Sequence, residues 1–141
     1  MGTRSTIALE FADGTVQQVY CHWDGYLDYN GKILQEHYSD PFKLQKLIDL
    51  GDLSSLAPNI GTQHSFGDRV DGECTFYGRD RKESGVSAKK FKDFADYKAN
   101  HQYEEYEYIL RACGDKAVWF VADHNNTYMP LVEALAQQEV A

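Results

Sequence analysis

Three stretches of the chain combine residue types and spacings that suit chemistry. The first is YCHWDGY at 20–26. On a strand, residues two apart face the same side, so His22 and Asp24 could meet one substrate atom as acid and base. The same residues also fit a plainer role. Asp24-Gly25 makes a turn, Asp24 accepts from local amides, and His22 and Trp23 pack beneath it. A third role is the wall of a binding site. There Trp23 or Tyr26 stacks on a flat ligand, and His22 and Asp24 fix its polar edges. Cys21 beside His22 raises nucleophilic catalysis, but adjacent strand residues point to opposite faces, so a core cysteine is the better reading.

The second stretch is TFYGRDRK at 75–82. Arg79 and Arg81 flank Asp80, and on an extended segment both guanidinium forks can face one phosphate or carboxylate. Tyr77 can stack on a base, and Gly78 lets a ligand approach the backbone. Neither a P-loop nor a GxGxxG fingerprint is present, so no standard nucleotide fold is indicated. The alternative pairs Arg79 and Arg81 with Asp68, Asp80 or Glu83 on the surface. Arg4 in TRST can join the same anion site if the first hairpin lies beside the second; it is otherwise a surface arginine.

The third stretch, EEYEYILR at 104–111, alternates glutamate with tyrosine. On an edge strand the acids block unwanted pairing, or they imitate phosphate charges and occupy a DNA-binding protein. His22, His37, His64, His101 and His124 are scattered without HxH or HExxH spacing, which points to no metal.

These residues need elements to hold them. STIALEF and TVQQVYC flank ADG, the mark of a hairpin. Val16 and Val19 alternate poorly, which suggests a bulge or twist. Residues 29–38 read as a helix. Asp40, Pro41 and Gly51 punctuate a second helix, whose stripe is Phe42, Leu44, Leu47, Ile48 and Leu50. HSFGDRV and ECTFYGRD flank Asp71-Gly72 and read as a second hairpin, followed by a polar loop over 78–87. Ser87 caps a helix over 88–99 with Phe91, Phe94 and Ala95 inward. CGDK joins EEYEYILRA to AVWFVAD in a third hairpin. Thr127 caps a terminal helix with Pro130 in its first turn. The order ββαα ββα ββα gives an α+β class: an antiparallel or mixed sheet built from hairpins with helices packed on one face, in two layers.

The whole chain, 1–141, reads as a single domain. A net charge of −8 argues against general nucleic-acid or membrane affinity. The charge is uneven: residues 79–98 carry seven bases against four acids, and residues 101–141 seven acids against two bases. Three cysteines, Cys21, Cys74 and Cys113, at wide spacing give neither a disulfide framework nor a zinc site. With no signal-peptide or transmembrane pattern, a reducing cytoplasm is expected. Tyrosine-rich strands suggest a homo-oligomer.

TRSTI at 3–7, YCHWDGY, GKILQEHY at 31–38, LGDLSSL at 50–56 and TFYGRDR together resemble a family of small bacteriophage and prophage proteins. The resemblance runs to about residue 108. It implies a phage accessory protein in the host bacterial cytoplasm, of the kind that manipulates the host or blunts its defences. The expected function is capture and sequestration of a small anionic, nucleotide-type ligand without turnover. The expected site is Arg4, His22, Trp23, Asp24, Tyr26, Tyr77, Arg79 and Arg81, with no catalytic residue, cofactor or metal. Two alternatives stay open: an acidic protein–protein inhibitor of a host factor, and a phosphodiester or glycosidic hydrolase using His22 and Asp24.

Overall fold

The computed structural model describes residues 3–101, 104–113, 115–122 and 127–140. Gly114 of the expected CGDK turn, Asp123 at the end of the last expected hairpin, and His124 lie outside the described residues. Within them the fold is α+β, a mixed sheet of eight strands with helices against it.

The hairpin expected around ADG is β1 (Ser5–Glu10) with β2 (Val16–Cys21). Gly14 takes φ +91°, and Asp13 accepts from the Thr15 amide and hydroxyl, so the turn chemistry is local. β6 (Tyr106–Cys113) and β7 (Lys116–Ala122) form the other expected hairpin. β6 lies parallel to β1 and places this hairpin on the open side of the first. The sheet runs β4-β3-β2-β1-β6-β7-β8, with β3 (Leu53–Ser55), β4 (Thr75–Phe76) and β8 (Tyr128–Pro130) at its flanks. β5 (Lys89–Phe91) pairs with the start of β2.

α1 (Lys32–His37), α2 (Pro41–Asp49) and α5 (Leu131–Val140) pack on one face. There Ile7, Leu9 and Val19 meet Leu34, Leu44 and Leu131 in the main core. A smaller cluster of Ala8, Val16 and Ile109 lies on the other face, under Tyr97 of α4 (Phe94–Asn100). The poor alternation of Val16 and Val19 is thereby explained. Both faces of β2 are covered, and its register with β1 runs unbroken, with no bulge.

α2 is punctuated as its sequence demands. Asp40 accepts from Phe42 N at 3.0 Å, and Gly51 closes the helix at φ +86°. Phe42 does not join the stripe. It stands half a turn from Leu44 and is 78% exposed. Other expectations are corrected. Residues 64–70 form no strand, and Thr75–Phe76 pairs with Leu53–Ser55 instead. The run does not continue as a strand past Phe76, because the Asp80 carboxylate takes Phe76 N at 2.8 Å and folds α3 (Tyr77–Arg81). Asp93, not Ser87, caps α4 by accepting from Asp96 N, while Lys89–Phe91 is drawn into the sheet; Ala95 is exposed. Pro130 ends β8 rather than opening a helix. The helix expected from residue 29 begins as a π turn at Leu27–Gly31, with Gly31 N donating to Tyr26 O.

EEYEYILR is not an edge strand. β6 lies between β1 and β7, and Glu107 and Tyr108 are fully buried. The acidic-mimic reading therefore loses Glu107 from any binding surface. No described helix is long and apolar enough to cross a membrane.

Candidate functional site

The two motifs meet across one short strand. Cys21 pairs with Leu53, and Leu53 with Phe76. YCHWDGY and TFYGRDR are thus two strand spacings apart, roughly 10 Å. Cys21, Leu53 and Phe76 enter the core. Strand alternation sends Tyr20, His22, Ser54 and Tyr77 to the opposite face. β3 begins at Leu53 opposite Cys21 and β5 at Lys89 opposite Gln18, so neither pairs with Tyr20, and the Asp52 carboxylate accepts its amide at 2.9 Å. Burial raises the Asp52 pKa, against that hydrogen bond and the charge of Lys89.

Around YCHWDGY the structure builds a turn. The Tyr20 hydroxyl lies 2.7 Å from His22 Nδ1, and the Trp23 ring stands edge-on to His22 at 4.8 Å. Burial pushes the Tyr20 hydroxyl up to about 12, with Arg4 opposing, so it keeps its proton and can donate to the imidazole. Arg4 is exposed and, one step beyond the Ser5–Cys21 pair, lies across from His22.

Asp24 leaves the strand at φ +58°, and its carbonyl accepts from Asn30 N. That conformation breaks the same-face rule on which the His22–Asp24 pair depended. Among the described residues no hydrogen bond joins the two side chains. Gly25 is needed for a different reason. A Cβ there would lie 2.7 Å from the Ser5 Cβ and 2.9 Å from Thr3 O, while its carbonyl accepts from the Tyr108 hydroxyl. Asn30, wholly buried, donates to Ser5 Oγ, Cys21 Sγ and Trp23 O and so ties the turn to the strands. Tyr26 pairs with Tyr29 on the π turn at 6.3 Å. Burial pushes the Cys21 thiol up to about 12, which agrees with a core role.

The arginines of TFYGRDR part company. On a helix, residues two apart differ by about 200° and face opposite sides. All five N–H groups of Arg79 are engaged. Nε and one Nη2 hydrogen go to the Asp80 carboxylate, Nη1 to Ile60 O and Gly61 O, and the other Nη2 hydrogen to Cys74 O. The guanidinium also lies over the Phe76 ring at 4.6 Å. Asp80 accepts in addition from His64 N. Burial works against the Asp80 charge, yet Arg79 and the amides of Phe76 and His64 outweigh it and hold its pKa below the usual range. Arg79 is therefore removed from the expected anion site: it has no donor left for a ligand.

Arg81 makes no hydrogen bond or ion pair among the described residues; its guanidinium is 5.2 Å from the Phe66 ring centre. Arg69 comes to the same ring at 5.9 Å and donates to Ser54 Oγ at 2.6 Å. Phe66 stacks on Tyr77 at 5.6 Å and 29°. The Ser54 carbonyl accepts from Trp23 N. Tyr77, Arg81, Trp23 and His22 thus gather along the Ser54 edge, with Arg4 on the flank. The Asp24 carbonyl is taken by Asn30 N, Tyr26 stays exposed beside Tyr29, and Arg79 is turned into the fold.

Phe66, Arg69, Ser54 and Asn30 were missed. The signal for the first two was present in SFGDR, an aromatic and an arginine in a polar loop, but those residues were read as a strand. The arrangement can hold an anion between two guanidiniums and offer a ring stack beside it. Compared with protein-family models, curated proteins and solved structures, the chain matches none.

Proposed function

We propose that this protein captures a small anionic ligand bearing a flat ring, of the nucleotide type, and holds it without turnover as a phage accessory protein in the host bacterial cytoplasm. One observation carries the ligand class. The stacked Phe66–Tyr77 pair is flanked by Arg69 and Arg81, and neither guanidinium has a carboxylate partner among the described residues. Arg69 and Arg81 hold the phosphate, the Tyr77 and Phe66 rings or Trp23 stack on the base, and Ser54 and His22 meet its polar edge. The reading without turnover is supported by the lack of a hydrogen bond between the His22 and Asp24 side chains among the described residues. The phage setting rests on the motif resemblance.

The test is native mass spectrometry of protein purified from bacteria, paired with calorimetric titration of nucleotides into wild type and Arg69→Ala/Arg81→Ala. A mass increment lost on denaturation, chemically intact and absent from the double variant, supports the reading. A bare protein, flat titrations, or a variant that binds as well as wild type overturns it. A product of altered mass would move the assignment to a hydrolase.

A further inference from the structure

We infer that the chain forms a twofold dimer in which Phe42 of each copy enters an apolar cleft of the other. The cleft, about 430 Å³, lies between the start of α2 and the far ends of β1, β6 and β7. Leu9, Phe11, Leu110 and Ala117 line it, and Phe42 stands at its rim with 78% of its surface exposed. An exposed phenylalanine beside an apolar cleft gives one patch both a knob and a hole. A twofold interface needs that kind of self-complementarity, because what residue i does to j, j does to i.

The rim charges favour the same occupant. Asp115 and Lys116 both line the cleft, and neither has an ion-pair partner among the described residues. Opposite signs on one self-facing patch pair across the axis, whereas a partner of a single sign would leave one of them unmatched. Glu10 and Arg111, also at the cleft, already pair with each other at 3.2 Å and add no net charge. A small apolar molecule could fill the cleft and touch Phe42, but it would leave Asp115 and Lys116 without partners. The strand tyrosines that suggest self-association do not supply this surface: Tyr108 is wholly buried, and Tyr20, Tyr106 and Tyr128 do not line the cleft. The cleft sits at the Glu10 end of β1, opposite the Ser5 end that faces Cys21, so dimer formation leaves the anion site open.

Sedimentation equilibrium over a concentration series tests the interface. Wild type should be dimeric at about 100 μM, and Phe42→Ser should weaken dimerisation about tenfold or more while circular dichroism stays unchanged. Asp115→Lys or Lys116→Asp alone should weaken it, and the two together should restore it in part. A wild-type monomer throughout, a dimer indifferent to Phe42→Ser, or a monomer carrying a small apolar molecule in native mass spectrometry overturns the proposal.

Discussion

Around Arg79 every donor is engaged inside the chain, whereas around Arg81 and Arg69 positive charge is left over, though both regions share the same short helix and loop. One arginine builds, by joining α3 to Ile60, Gly61 and Cys74. The other two offer, by standing beside the Phe66 ring with donors to spare. Residue type is identical; what differs is how many carbonyls and carboxylates come within reach. A guanidinium that meets five acceptors belongs to the fold, whereas one that meets only an aromatic face, as Arg81 does, or a ring and one hydroxyl, as Arg69 does, keeps donors for a partner.

The contrast is tested most severely by Arg79→Ala. Asp80 would keep a buried charge without its partner, at a cost of about 3–5 kcal/mol, and the melting temperature should fall by roughly 10 °C. Arg79→Lys should recover little, because one ammonium cannot serve acceptors on four residues. If Arg81→Ala lowers the melting temperature as much, the contrast collapses. The same region should show in acid. Asp80 has a depressed folded pKa, so its contribution is fully present above its unfolded pKa near 4 and is lost as pH falls through the folded value. Urea denaturation from pH 6 to pH 2 should reveal that loss, and Asp80→Asn should flatten it.

Gly25→Ala should cost about 1–3 kcal/mol in urea denaturation, because the new methyl group meets Ser5 and Thr3. A loss under 0.5 kcal/mol would mean that the turn gives way easily and that YCHWDGY is less fixed than its contacts imply. The smallest stability effect belongs to Arg81→Ala and Arg69→Ala, each expected within about 0.5 kcal/mol of wild type. Their effect should appear in nucleotide titration instead, as roughly a tenfold loss of affinity or more.

Local chemistry was legible in the sequence. Asp13 with Gly14 wrote the first hairpin, and Asp40, Pro41 and Gly51 wrote α2, because each acts on amides within a few residues. Reading failed where a distant group intervened. Asp71-Gly72 looks like a hairpin, and Gly72 does take φ +78°, but Thr75 pairs with a strand twenty residues upstream. Lys89–Phe91 reads as helix until Val16 and Gln18 take it into the sheet. At the candidate site, residue type alone singles out Tyr77, His22, Trp23 and Arg81. No property of the letters separates Arg79 from Arg81; helical phase and the carbonyls of Ile60 and Gly61 separate them.

The clamp made by Arg79 and Asp80 bears on the rate and strength of the proposed capture. Arg79 holds Ile60 and Gly61, Asp80 holds His64, and Cys74 closes the other end. The arc that bears Phe66 and Arg69 is thereby shortened at both feet, and much of its conformational entropy is already lost when the chain folds. A ligand of the proposed kind would have correspondingly less ordering to impose, and its encounter with the Phe66–Tyr77 stack would approach rigid docking.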